Sequence, residues 1–213
     1  MLLPKLQAVV LTVALALGAG AAHATTITFD ELPASLNDIY YPGYAFASGG
    51  YDFKVEQGPV WIVPAQTPGS GFATNGTTSL DLAGIVSVTS ATHQPFSVTS
   101  MDLATFWTRE TSTVRLTGTD VGGHQIIQTY TLSNANSAHP YDLETTQLTG
   151  FNNLTSLVME LVYRPDNLAT YFSLVDNIVI NETAVSAVPE PTSWAMLGMG
   201  LAMIAGFSRR KSA

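Results

Sequence analysis

A chain of 213 residues without a cysteine can hold one domain or two small ones, and it excludes zinc–thiolate sites, cysteine nucleophiles and thiol redox motifs. Sixteen Asp and Glu stand against eight Lys and Arg overall, and between 25 and 187 the count is fifteen against four, a formal charge of −11. Such a surface repels phosphate backbones, which argues against nucleic acid as a partner and leaves cations and neutral polymers.

The chain opens on Met1-Leu-Leu-Pro-Lys5, then an apolar run from Leu6 to Ala22, then Ala22-His23-Ala24. A positive start, an apolar stretch and a small-x-small end predict a signal peptide over 1–24, cut by signal peptidase after Ala24. The alternative is an N-terminal anchor that stays on. Setting both ends aside leaves about 160 residues, enough for one domain that buries about two-thirds of its unfolded surface.

From Thr25 onward, Gly, Pro, Ser, Thr and Asn recur about every eight to twelve residues between short β-rich runs. That spacing predicts an all-β fold, an antiparallel sandwich or barrel, over 25–184. The predicted strands are Thr26–Asp30, Tyr51–Glu56, Val60–Val63, Ile85–Thr89, Phe96–Phe106, Thr113–Thr119, Gln125–Leu132, Tyr141–Leu148, Leu157–Tyr163 and Phe172–Ile180. Residues 32–50 and 69–81 read as loops.

Alternation assigns the faces. Val114 and Leu116 alternate with Thr113, Arg115 and Thr117, a strand with one wet face. Leu157–Tyr163 is apolar but for Glu160, which predicts a central strand covered on both sides. Phe96 and Val98 share one parity while Met101 and Leu103 share the other, so a bulge near Thr99–Ser100 is expected. In the last strand Phe172, Leu174, Ile178 and Ile180 share a parity with Asp176. An inward carboxylate must be hydrogen-bonded, paired or bound to a metal. One reading is that Asp176 takes backbone N–H groups at a strand end or bulge. The other is a structural Ca2+ held with Asp30 or Glu31 of the first strand, where carboxylate and carbonyl oxygens gather. No acidic calcium loop of the Asp-x-Asp-x-Asp-Gly kind supports it.

Catalytic signatures are lacking: no Gly-x-Ser-x-Gly, no His-Glu-x-x-His, no Gly-rich phosphate loop and no dinucleotide fingerprint. His93, His124 and His139 lie in turn-like settings and read as surface residues. Carboxylates are plentiful, and a glycosidase needs two at a set separation, but any acidic sandwich supplies such pairs by chance. Asn75, Asn153 and Asn181 open Asn-x-Thr triplets that are also frequent by chance. Sugar binding uses exposed aromatic platforms. Tyr40, Tyr41 and Tyr44 cluster in the loop after the first strand, with Trp61 and Trp107 near strand ends. Most large aromatics pack in cores or rims, and Tyr40, Tyr41 and Trp107 remain as ligand candidates.

The end of the chain runs Pro189-Glu190-Pro191, then an apolar stretch Trp194–Phe207 of fourteen residues, then Arg209-Arg210-Lys211. A full membrane span takes about 20 residues, so a helix over about 192–207 is a marginal one. Trp194 suits one interface, and the basic cluster places the other end on the cytoplasmic side. An ordinary C-terminal anchor is the plain alternative. These three ordered features resemble the PEP-CTERM sorting signal of Gram-negative bacteria, over 185–213. The resemblance implies that the chain is the substrate of an exosortase acting near Pro-Glu-Pro. It further implies transient anchoring in the inner membrane, then transfer to the cell surface or extracellular matrix of an organism that makes exopolysaccharide.

Ile27-Thr-Phe-Asp30 near the start and Phe172-Ser-Leu-Val-Asp-Asn-Ile-Val179 near the end resemble the β-sandwiches of many PEP-CTERM proteins, which are similar to jelly-roll carbohydrate-binding modules. This implies a jelly-roll fold for 25–182. The functional expectation is a non-catalytic surface or matrix protein associated with exopolysaccharide. The alternatives are a secreted glycan hydrolase with paired carboxylates, and a purely structural surface protein.

Overall fold

The computed structural model describes residues 24–66, 73–107, 111–133, 142–162 and 172–182. The chain divides into two units, Ala22–Thr183 and the chain ends Met1–Ala21 with Ala184–Ala213. The second unit lies outside the described residues, and with it the expected sorting tail and, but for Ala24, the expected signal peptide.

Among the described residues every regular element is a strand. They are β1 (Ala24–Ile27), β2 (Ile39–Tyr40), β3 (Ala45–Ser48), β4 (Tyr51–Gln57), β5 (Val60–Val63), β6 (Ser79–Leu82), β7 (Ile85–Ser90), β8 (Phe96–Thr105), β9 (Thr111–Asp120), β10 (Gln125–Ser133), β11 (Glu144–Gln147), β12 (Leu154–Leu161) and β13 (Ser173–Glu182). Alternating apolar and polar residues make each a two-faced ribbon, and two such ribbons hide their apolar faces by stacking. One layer runs β2-β5-β6-β13-β8-β11, with β1 beside the second half of β13. The other runs β3-β4-β7-β12-β9-β10. A bridge of Leu154 to Phe96 joins them at one corner. The result is an antiparallel β-sandwich of jelly-roll type.

The core lies between the layers. Phe53 and Val55 of β4 and Leu157 and Met159 of β12 meet Met101 and Leu103 of β8 and Ile178 and Ile180 of β13. Each such side chain contributes about 1.5–3 kcal/mol by leaving water. A smaller cluster forms on the outer side of the first layer, where Val63, Ala73, Ala104, Phe106 and Leu174 pack with Trp61, Leu143 and Phe172.

Two bulges set which residues face the core. Along β8 and β13 the partners pass from Val179–Ser100 to Ile180–Val98, so Thr99 is an extra residue. This is the expected bulge, and it lets Phe96, Val98, Met101 and Leu103 all reach one core. Between Asp176–Asp102 and Val179–Ser100 the extra residue is on β13 instead, at Asn177, whose φ is 46°. Asn tolerates this left-handed conformation better than most residues. This second bulge overturns the shared parity read for the last strand. Val175, Ile178 and Ile180 face the main core, whereas Leu174 belongs to the outer cluster and Asp176 lies on its side.

Other expectations also shift. β12 is central, between β7 and β9, yet it is not covered on both faces: Leu157, Met159 and Leu161 are buried while Val158 and Glu160 are half-open. The stretch read as a loop over 32–50 contains β2 and β3, and that over 69–81 contains the start of β6. Strands of two to four residues leave too few alternations to be seen. The first strand ends at Ile27, and Phe29 then takes a φ of 58°.

Candidate functional site

Two places on the sandwich concentrate chemistry. The first is an aromatic shelf at the β2 edge. Ile39 and Tyr40 pair with Trp61 and Val60 of β5, which carries the chain past the rim. It returns through a turn in which Tyr44 N–H donates to Tyr41 C=O at 3.0 Å. Gly43 N–H donates to Val55 C=O at 2.8 Å, and Val55 N–H donates to Tyr44 C=O at 2.9 Å. Gly43 permits this turn because its φ is 93°. The rings of Tyr40 and Tyr44 therefore stack, with centroids 4.2 Å apart and planes at 25°. Behind them Phe46 stacks on Phe53 at 5.1 Å, anchoring the shelf to the core. Tyr41 is 61% exposed and Tyr44 42%. A cavity of about 560 Å³ opens beside them, lined by Asn37, Asp38, Ile39, Tyr40 and Tyr41. Burial raises the pKa of the Tyr40 hydroxyl, and Tyr44 and Asp38 add to the effect.

Tyr40 and Tyr41 thus sit together, with Tyr44 as the partner that the sequence reading set aside. Trp107, 41% exposed, belongs to a different row of rings. It meets Phe106 edge-on at 5.3 Å, Phe106 meets Phe172 at 5.8 Å, and Phe172 meets Trp61 at 5.1 Å.

The second place is the carboxylate cluster over β13. Asp176 is fully buried although it points away from the main core. Thr77 Oγ1 and Asn75 Nδ2 donate to its Oδ2 at 2.6 and 2.7 Å. No hydrogen bond reaches its Oδ1 among the described residues. Asp30 takes the Thr78 N–H on Oδ1 at 2.8 Å. Burial pushes the Asp176 carboxyl up to about 6, the nearby Asp30 charge pushes the same way, and the Thr77 and Asn75 hydrogen bonds work against both. The first reading of Asp176, backbone N–H groups as its partners, captures only part of this: Asn177 N–H assists, but two side chains do most of the bonding.

Asp30 and Asp176 are therefore brought together. Glu31 is turned elsewhere: it accepts from Ser48 Oγ at 2.5 Å and from Gly49 N–H at 3.2 Å. The Ser48 bond, chiefly, holds its carboxyl below the usual range. Among the described residues no three His, Asp or Glu side chains gather as a metal-binding group. A cation at Asp176 would take its oxygens from Asp176, Asp30 and the Thr77 hydroxyl, a hard donor set of the kind Ca2+ accepts.

Sequence reasoning missed Asp81. It lies between Trp61 and Leu174 on neighbouring strands and is buried, with Oδ1 unpartnered among the described residues. Burial raises its pKa well above the carboxylate norm. A group with a raised folded pKa stabilises fully below its unfolded value and loses that contribution as pH rises through the folded one. Asp81→Asn is therefore expected to melt a few °C above the parent at pH 7.5, with the gap closing near pH 4. A scan showing no gap at either pH would contradict the burial argument. Of the loop histidines, His93 is exposed in a turn and His124 rests against Asp120 at 3.1 Å; His139 lies outside the described residues.

Comparison with known proteins adds the following. No curated protein matches the sequence. Among solved structures the chain is similar to an exo-beta-agarase at 10% identity and a TM-score of 0.41, covering 77% of this chain and 26% of that one. It is similar to the CBM22-1–CBM22-2 tandem domain of Paenibacillus barcinonensis Xyn10C at 14% identity and a TM-score of 0.38, covering 79% and 48%. A non-crystalline cellulose specific carbohydrate-binding module, CBM28, aligns at 13% identity and a TM-score of 0.33, covering 76% and 94%. The chain thus spans about a quarter of the first protein and about half of the second. Residues 187–211, which hold Pro189, Glu190, Pro191, Trp194, Arg209, Arg210 and Lys211, match the PEP-CTERM protein-sorting motif. That motif marks an exported protein processed at the membrane by an exosortase.

Proposed function

We propose that the sandwich domain is a non-catalytic module that the sorting tail delivers to the cell surface, where it associates with the host's own exopolysaccharide. The observation that carries this reading is the stacked Tyr40–Tyr44 pair with Tyr41 exposed beside it. Sugar rings have apolar C–H faces that settle on aromatic rings, and a rigid, solvent-facing stack offers such a platform with little ordering cost. The acidic surface suits a neutral polymer. The two carboxyls pushed up most by burial, Asp81 and Asp176, are enclosed rather than set across an open groove, which supports binding over hydrolysis.

The test is retention of the full chain on exopolysaccharide from its host. Tyr41→Ala and Tyr44→Ala are each expected to weaken binding about tenfold, or ~1.4 kcal/mol. Trp107→Ala is expected to change it less, because Trp107 belongs to another row. No retention of the parent chain would sink the reading.

A second reading is favoured by the orphan oxygen of Asp176. We infer that Asp176 and Asp30 hold a structural Ca2+, which would satisfy the unpartnered Oδ1 and offset the repulsion between the two carboxylates. It stands or falls on thermal melting with Ca2+ and with a chelator, as set out in the Discussion.

A further inference from the structure

Among the described residues the sheet edge at β10 is open on one side. β10 pairs with β9 from Gln125–Thr119 to Ser133–Thr111, and among the described residues no strand pairs with its other side. Thr113 C=O accepts Val162 N–H at 2.8 Å, so the odd-numbered residues of β9 direct their backbone groups to β12. Their partners on β10, namely Gln125, Ile127, Thr129, Thr131 and Ser133, therefore turn N–H and C=O away from β9. An open row of this length is a pairing template unless it is blunted by charge or proline. Neither occurs here: from Val121 to Tyr141 the only proline is Pro140, past the strand, and no residue is Asp, Glu, Lys or Arg. Ile127 is 56% exposed.

The strand is also matched to itself. Antiparallel pairing about Thr129 sets Ile127 against Thr131 and Gln125 against Ser133 on one face. On the other face it sets Ile126 against Leu132 and Gln128 against Tyr130. Apolar residues meet apolar or β-branched partners, and polar residues meet polar or amphipathic ones, as cross-strand pairs prefer. In this register the outward backbone groups of one copy face those of the other, making about ten hydrogen bonds. The chain carries a net charge of −8, so a second copy meets the least repulsion along this neutral strip. We propose that β10 is a self-association edge, and that two copies of this chain join there through a two-fold axis at Thr129, extending the β3-β4-β7-β12-β9-β10 layer across the pair.

The full chain in mild detergent is expected to sediment as a dimer at micromolar concentration. Thr129→Pro removes one outward N–H and leaves the β9 ladder intact, as edge prolines do. It is expected to shift the species to a monomer that still melts in one transition, at a midpoint that no longer depends on protein concentration. Thr129→Cys, in a chain with no other thiol, is expected to cross-link to its own copy under mild oxidation, because paired Cα atoms there lie about 5.5 Å apart. Gln125→Cys is expected not to, since its partner is Ser133. A parent monomeric at every concentration overturns the proposal. So does a dimer that survives Thr129→Pro while Thr129→Cys stays reduced, cross-linking at 125 as readily as at 129, or cross-linking of position 129 to a different protein.

Discussion

Gly84→Ala is expected to cost about 3–5 kcal/mol, a lowering of the melting midpoint by about 10 °C. A Cβ at position 84 would stand 1.9 Å from the carbonyl oxygen of Gln57 and 2.8 Å from the Cα of Gly58. Both obstacles are backbone, so no rotamer change relieves them. The crowding arises where β4 meets β7: the register slips between Val55 and Gln57, and Gly58, at φ 69°, turns the chain directly over Gly84. Gly84 C=O also accepts Leu161 N–H at 2.9 Å, so moving this backbone disturbs β12 as well. Gly118 provides the comparison. Its Cβ would meet Leu154 Cδ2 and Phe151 Cδ1 at 2.9 Å, both ends of side chains that can yield. Gly118→Ala should cost markedly less. Equal melting midpoints for Gly84→Ala and the parent would show that the approach of the two strands is misdrawn.

The second large effect concerns Asp176 and has a defined sign. Its folded pKa of about 6 lies above the ordinary carboxyl value of 3.8. Without a cation, the domain is expected to be most stable below pH 4 with respect to this group. It should lose about 3 kcal/mol as pH rises to about 6, and little more beyond. Asp176→Asn keeps the shape and removes the charge, so this contribution, and not those of Asp81 and the other carboxyls, should be absent from its pH profile. With chelator present at pH 7.5, the variant should melt above the parent. Added Ca2+ should reverse the order. A cation bound only by the folded state stabilises by about 2.7 kcal/mol at a hundredfold excess over its dissociation constant, and the variant offers it one carboxylate fewer. If Ca2+ leaves the parent's melting midpoint where chelator put it, the calcium reading is wrong. The burial argument is judged separately by the pH scan in chelator.

What was legible in the sequence was local. The alternation of Val114 and Leu116, or of Tyr51, Phe53 and Val55, marks a strand with one apolar face. The parity change from Phe96 and Val98 to Met101 and Leu103 announces a bulge at Thr99. The Asp176 site was only half legible. An acid among Leu174, Ile178 and Ile180 signals a buried carboxylate, and the Asp30 charge bears on it. Glu31 was not excluded, because nothing in its neighbourhood predicts the hydroxyl of Ser48, seventeen residues on at the end of β3, reaching it.

The chain by itself determined its all-β class, most of its longer strands and the sorting motif over 187–211, since each is written in residues next to one another. Tertiary structure decided the rest. It placed the bulge at Asn177 that swings Asp176 to the outer side, stacked Tyr44 on Tyr40 through hydrogen bonds to Val55, and buried Asp81 between strands that begin and end far from it in sequence. The reason is physical: side-chain periodicity is a property of one strand, whereas register and burial belong to pairs of strands. A one-residue difference in pairing between β8 and β13 reverses which face a side chain meets.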